Sequence, residues 1–253
     1  MRPVRHRFFV QDAGAPGTTV VLSAEESAHA TRVLRLRPGA AIGVFDGRGR
    51  ELAGVVSAIN DQVVVRIDAE VPAVPEPAVA ITLAHAVLKG DKMDAVVRDA
   101  VMLGAAAIRP IVTRRSETTV AALERGHRVE RWRRVALASA KQCGRAVVPN
   151  VLEALEFAPG PAWFAAAGLP APRLVLAEPG AEGVPPMPPA RIERPAGGQA
   201  TLVVGPEGGW APEEIQALEG SCAAVTLGPR TLRADAAAVV AMAALFAVWG
   251  VEG

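Results

Sequence analysis

Two stretches of this chain carry residue types that could do chemistry. They are Thr201–Gly209 (TLVVGPEGG) and Thr226–Ala238 (TLGPRTLRADAAA). In each, a short apolar run ends in glycine and proline, then enters a loop and a helix-compatible segment. Two such strand–loop–helix units point to a ligand gripped by backbone at the carboxyl edge of an α/β sheet. Gly205, Gly208 and Gly209 allow tight turns and a close approach of main chain to that ligand. The spacing matches neither GxxxxGK[ST] nor GxGxxG, so phosphate cradling of those types is not supported. Glu207 would repel a phosphate and suits a neutral or cationic ligand; the rival reading is a plain structural β–α turn. Arg230 and Arg233 sit between a buried strand and an apolar helix and need an anionic partner. That partner is a carboxylate such as Glu207 or Asp235, a nucleic-acid phosphate, or charge developing in a reaction.

Other basic residues suggest a polyanion. The net charge is only +1, but residues 151–253 carry five Arg/Lys against eleven Asp/Glu. Residues 1–50 carry eight against four and residues 86–150 thirteen against six, so basic character lies outside the C-terminal third. That asymmetry suits nucleic acid approached by one part of the molecule; solvated arginine-rich helix faces explain it equally well. Lysine occurs only as Lys89, Lys92 and Lys141 against twenty-four arginines, a usage that fits a compact ammonium at a phosphate or base. Arg128, Arg131, Arg133 and Arg134 with Arg114, Arg115 and Arg145 form a second candidate phosphate surface. Arg2, Arg5, His6 and Arg7 form a basic arm ahead of FFV, and Arg32, Arg35 and Arg37 cluster near His29. With no tyrosine and few aromatics, binding should rest on charge and shape rather than base stacking.

Several classes are disfavoured. Cys143 and Cys222 form no CxxC or Cys/His cluster, and the four histidines are scattered, so neither a metal site nor a disulfide framework is expected. A reducing cytoplasm fits best. Ser116 and Ser139 lack any nucleophile context. The longest apolar run, Ala236–Trp249, is shorter than the roughly 18 residues of a membrane span, and MRPVRHRFFV lacks the features of a signal peptide.

The elements that must position these residues fall into two rhythms. Up to about residue 70, β-type runs (RFFV, TVVLS, AIGVFDG, ELAGVVSAI, QVVVRIDAE) alternate quickly, with turns at Asp46-Gly47 and Asn60-Asp61, as in a small barrel. Ser23 and Glu26 form a capping-box pattern ahead of a helix over SAHATRVLRL. VPAVPEPA (Val71–Ala78) reads as a linker, giving domains 1–72 and 73–253. Beyond it, AITLAHAVL, IRPIVT, LVLAE, TLVVG and AVTLG read as strands. Met93, Val96, Val97, Ala100 and Val101 mark the buried face of one helix ending at Gly104; Val129, Trp132, Ala136 and Ala140 mark another. Glu178–Gly198, rich in proline and glycine, reads as a surface loop. The final helix is apolar nearly all round and needs cover from the core or from another subunit.

Taken together, RHRFFV, HATRVLRLRPG…VFDGRG, KGDKMD…RDAVMLG, KQCGR…VP, LVVGPEGGW…EE and LGPRTLRADAA resemble the RsmE family. Its members are SPOUT-superfamily methyltransferases acting on small-subunit ribosomal RNA. The resemblance runs from about residue 5 to 250 and implies a PUA-like β-barrel for RNA, an α/β domain with a parallel sheet and a trefoil knot, and a homodimer. It implies transfer of a methyl group from S-adenosylmethionine to N3 of a uridine in 16S rRNA. The cofactor pocket it implies comprises Leu176, Ala177, Glu178, Val204, Gly205, Pro206, Glu207, Gly208, Gly209, Leu227, Gly228, Pro229, Arg230 and Leu232. Arg233 stands beside the reactive centre with Asp235 as orienter or proton acceptor. For RNA, the expected contacts are Arg5, Arg7, Arg32, Arg35, Lys89, Lys92, Arg114, Lys141 and Arg145. Where the family usually reads LRTETA this chain has LRADAA, which shortens the reach of the carboxylate. The alternatives are a related knotted methyltransferase acting on tRNA or another rRNA position, and an RNA-binding relative without catalysis.

Overall fold

The computed structural model describes residues 6–158, 160–179 and 186–250. Its chain forms two compact units: residues up to Pro75 together with Ala140–Val148, and Glu76–Ser139 together with the chain from Pro149 onward.

The first unit contains β1 (Arg7–Phe9), β2 (Thr19–Val21), α1 (Ala24–Ala28), β3 (Ala41–Phe45), β4 (Glu51–Ile59) and β5 (Val63–Val71). They form one sheet in the order β1-β3-β4-β5-β2. β1 runs parallel to β3 and the other pairs are antiparallel. Alternation places Val63, Val65 and Ile67 fully inside while Arg66 and Asp68 face out, the period-two pattern of a half-solvated strand. Register shifts along β4 curl this sheet into a half-barrel. One falls at Gly54, where a Cβ would lie 2.5 Å from the Arg66 carbonyl oxygen.

Ser23 caps α1, its Oγ accepting the Glu26 N–H at 3.2 Å. The helix expected over SAHATRVLRL is α-helical only as far as Ala28 and continues as a π-type turn, His29–Val33. Leu34 N–H donates to the His29 carbonyl five residues back, and Thr31 Oγ1 donates to the Ser27 carbonyl at 2.8 Å, competing with the α-helical ladder.

The second unit contains β6 (Ala80–Ala86), α2 (Lys92–Leu103), β7 (Ala107–Val112), α3 (Val120–Arg125), α4 (Arg128–Cys143) as far as Ser139, β8 (Asn150–Val151), β9 (Leu155–Glu156) and α5 (Pro161–Ala166). There follow β10 (Arg173–Leu176), β11 (Gln199–Val204), α6 (Pro212–Glu219), β12 (Ala223–Val225) and α7 (Ala234–Trp249). The sheet order is β12-β10-β11-β6-β7-β8, with β9 also on β7. Every pairing in it is parallel. After their first residues β6 and β11 are buried on both faces, hence their largely apolar runs, broken only by the buried Thr82, His85 and Thr201.

α2 buries Met93, Val96, Val97, Ala100 and Val101 completely and packs on α7. It stops at Gly104, whose φ of 107° is left-handed and where a Cβ would lie 2.5 Å from the Pro77 ring, so that only glycine fits. Val129, Trp132, Ala136 and Ala140 of α4 are buried, as their spacing predicts. The expected surface loop Glu178–Gly198 is partly internal. Met187 bridges Val225, and the carbonyl of Ile192, a residue only 7% exposed, accepts the Trp249 indole N–H at 3.0 Å. Residues 180–185 of that segment lie outside the described residues. Among the described residues no helix is long and apolar enough to cross a membrane.

Candidate active site

Three parallel strands, β10, β11 and β12, end side by side, and the loops that follow them enclose a cavity of about 370 Å³. Residues 176–179 form one wall, 204–207 a second, and the loop into α7 a third, with Lys92 reaching in from the start of α2. Leu176, Ala177, Glu178, Val204, Gly205, Pro206, Glu207, Leu227, Gly228, Arg230, Leu232, Arg233 and Asp235 therefore share one lining. Gly208 and Gly209 border an adjoining cavity of about 280 Å³ that shares Leu176–Pro179 and Trp210 with the first. Pro229 borders neither.

The glycines are there for close approach. A Cβ on Gly205 would come within 2.9 Å of the Trp210 ring, and Gly209 has a φ of 68° with Glu178 Oε1 3.3 Å from its would-be Cβ. Arg115 braces the same turn by donating to the Gly208 carbonyl at 2.8 Å. Beneath it, the buried Glu214 carboxylate accepts N–H bonds from Ala211 (2.9 Å) and Arg114 (3.0 Å), tying the turn to the loop after β7. The sequence alone marks Glu214 only as a helix N-terminal acid. The spacing PEE after GGW signals a cap, but not the bond to a residue one hundred positions away.

Two cations at this cavity, Lys92 and Arg233, are matched by carboxylates. Lys92 Nζ lies 3.0 Å from Glu207 Oε1, which also faces the Lys89 backbone N–H at 3.4 Å. Burial raises the pKa of Glu207, but the Lys92 bond and backbone N–H groups outweigh it and leave the carboxyl below its ordinary range. Arg233, at the N-cap of α7, meets Asp235 side-on, Nε to Oδ1 and Nη2 to Oδ2, both 3.2 Å. Burial pushes Asp235 upward as well, yet the Arg233 bond overrides it and holds this carboxyl low. His85, fully buried at the end of β6, has Nδ1 2.7 Å from the Ala86 carbonyl and Nε2 3.3 Å from that of Ala234. Burial pushes its pKa below the ordinary histidine value. Cys222, bordering the adjoining cavity, has its thiol pushed up to about 12 by burial.

A model of the RNA methyltransferase domain matches residues 75–246, and one of the RNA methyltransferase PUA domain matches residues 22–68. Ribosomal RNA small subunit methyltransferase E of Mycobacterium bovis is 33% identical over 94% of this chain and 90% of its own length. The Synechocystis protein of the same name is 32% identical over 91% of this chain and 73% of its own. The chain belongs to this family. Among solved structures, the family member from Neisseria gonorrhoeae bound to S-adenosyl methionine aligns with a TM-score of 0.82 and 31% identity, covering 96% of this chain and 98% of that one. A Legionella pneumophila protein in complex with bound SAM aligns at 0.85 and 28% identity, with 96% and 98% coverage. The fold class follows: a SPOUT-type parallel-sheet domain preceded by a PUA-type β unit.

The basic residues of this family member divide by what they already touch. Arg7 is spent internally. It forms a two-pronged pair with Glu51 (2.8 and 2.6 Å) and donates to the carbonyls of Ala140, Lys141 and Arg145. Lys141 Nζ reaches both Glu26 oxygens at 2.7 Å, and Arg145 is buried. Arg7 and Lys141, two of the residues expected at RNA, are thus engaged by contacts within the first unit. Arg32 and Arg35 are exposed. Lys89 pairs with Glu117 at 3.0 Å and Arg114 with Glu213 at 3.2 Å, both in solvent. Arg5 lies outside the described residues. Among the described residues no cluster of three or more His, Cys, Asp or Glu could hold a metal ion.

Proposed function

We propose that this protein transfers the methyl group of S-adenosylmethionine to N3 of a uridine in 16S rRNA of the small ribosomal subunit. It would do so in the cytoplasm, as a homodimer, without a metal. The observation that carries this reading is the cavity at the ends of β10, β11 and β12, in a chain of a family with a member bound to S-adenosyl methionine. The residues fit that group: the carboxylates of Glu178 and Glu207 suit its positive charge, and the loops at Gly205 and Gly228 offer main chain for adenine and ribose. When bound, it supplies a methyl group on a sulfonium; the carbon–sulfur bond breaks as the nitrogen–carbon bond forms, leaving a neutral thioether.

The chain's own residues supply position and charge. Uracil N3 must lose its proton, and the negative charge then spreads to the flanking carbonyl oxygens. A guanidinium aimed there lowers the barrier, and Arg233, oriented by Asp235, takes that role. Alignment by the three loops supplies the rest. RNA is brought by residues 1–72, with Arg32 and Arg35 on phosphates alongside Arg5, Lys89 and Arg114, and chemistry belongs to 73–253. A trefoil knot would involve the passage from β11 to β12, which crosses β10.

Dimerisation is supported by α7. Its outward face carries Ala236, Val240, Ala243, Ala247 and Val248, apolar throughout, with the two valines 44% and 45% exposed. Such a stripe wants cover. Nucleoside mass spectrometry of rRNA from a strain lacking this gene tests the whole proposal. The expected result is loss of N3-methyluridine, restored by the intact gene. Unchanged methyluridine would reject it.

A further inference from the structure

N3 of uracil lies between two carbonyl groups, so its conjugate base places charge on two oxygens pointing to opposite sides. A single guanidinium can face one of them. The cavity presents a second cation from a different element. Lys92 opens α2, Arg233 precedes α7, and both line the same space. Among the described residues, the charged groups facing this space are Lys92, Glu178, Glu207, Arg230, Arg233 and Asp235. His85 lies behind Ala234 with both ring nitrogens turned to backbone carbonyls.

Resting on the methylation reading above, we propose that Lys92 is a second catalytic residue, stabilising the uracil oxygen that Arg233 does not, and that neither Glu207 nor Asp235 acts as the base. The proton from N3 then passes to water. Geometry argues for both halves. Glu207 and Asp235 are each committed to a cation, at 3.0 and 3.2 Å, so their lone pairs orient Lys92 and Arg233 instead of taking a proton. Their acidity points the same way, since a carboxylate held below its ordinary range is a weak base at neutral pH. Lys92 is also well placed to be released: it is 41% exposed, and Glu207 36%. Arriving substrate can therefore share its ammonium without opening a buried pair.

The test uses Lys92→Met, Lys92→Arg and Glu207→Gln proteins, with single turnovers at saturating RNA and cofactor. Transcripts carry either uridine or 5-fluorouridine, whose N3 is more acidic. Loss of one oxyanion donor predicts a rate about 100-fold down for Lys92→Met on uridine RNA. The deficit should shrink to about tenfold or less on 5-fluorouridine RNA and at raised pH, because less stabilisation is then required. Lys92→Arg should recover most of the rate. S-adenosylmethionine affinity by calorimetry should stay within about threefold in Lys92→Met, well under one order of magnitude. Glu207→Gln should weaken cofactor binding and, because Glu207 orients Lys92, show a smaller 5-fluorouridine-dependent deficit than Lys92→Met. A Lys92→Met deficit equal on both transcripts and at every pH would overturn the inference, as would a deficit that saturating RNA abolishes, or the same pattern arising from Arg230→Met instead. If the parent protein neither binds the cofactor nor methylates RNA, the underlying methylation reading fails first, and calorimetry reports that separately.

Discussion

Arg233 and His85 show how much single side chains decide here. Arg233 is 74% exposed and pairs with Asp235 two residues on, so its removal disturbs little packing. Arg233→Ala should lower single-turnover methylation by about 10²–10³-fold, the scale of one lost oxyanion donor. Its cofactor affinity by calorimetry should be nearly unchanged; a rate within a few-fold of the parent would remove Arg233 from the chemistry. His85 gives a stability signature. Its folded pKa lies below the ordinary 6.5, so as pH falls through about 6.5 the unfolded chain gains a proton that the folded chain refuses. Stability should therefore drop on the acid side, by at most about 1.4 kcal/mol per pH unit. Glu207 and Asp235, held below 4.5 and 3.8, lose their contributions only at lower pH, which leaves a window for His85 near pH 5–6. Urea unfolding midpoints across that window should slope for the parent and flatten for His85→Gln. Equal slopes would place the effect elsewhere. At this scale the sequence is most misleading about Arg7 and Lys141. Both sit in basic segments, yet each is consumed by an acid far along the chain, Lys141 by Glu26 at a separation of 115 residues. No local pattern encodes such a partner.

Elements are more legible than contacts, for a physical reason. Strand runs such as Leu202–Val204 and helix stripes such as Met93–Val101 follow from burial repeating at a fixed period, and the structure buries them as that period requires. The two-residue strands β8 and β9 and the six-residue α5 are too short to show a period. The π-type turn at His29–Val33 arises from a side-chain bond that helical spacing does not reveal. Ile192 sits in a segment whose prolines and glycines speak only of turns, while its cover, Trp249, lies 57 residues on. α7 is the element whose apolar pattern exceeds the needs of its own chain. Val240→Asp should therefore weaken self-association at least tenfold, since a buried valine contributes about 1.5 kcal/mol or more. Sedimentation equilibrium checks it; a dimer of parental affinity would mean this face is not the interface.

Across the whole molecule, the division of labour rests on two observations of different kinds. The first unit's half-barrel and exposed arginines are suited to shape and phosphate, as expected of a chain with few aromatics. The second unit forms its cavity where β10, β11 and β12 end, because parallel strands deliver the loops that follow them to one edge. That edge is visible in the sequence as two glycine–proline stops, whereas the ion pairs that tune it, Lys92 with Glu207 and Arg233 with Asp235, emerge only once α2 and α7 are folded beside the loops. The most direct measurement combines the purified protein, small-subunit rRNA and S-adenosylmethionine with a deuterated methyl group, followed by nucleoside mass spectrometry. The deuterated methyl should appear on N3 of uridine and be absent with the Arg233→Ala protein. Label on another nucleoside, on another atom of uridine, or on none would contradict this assignment.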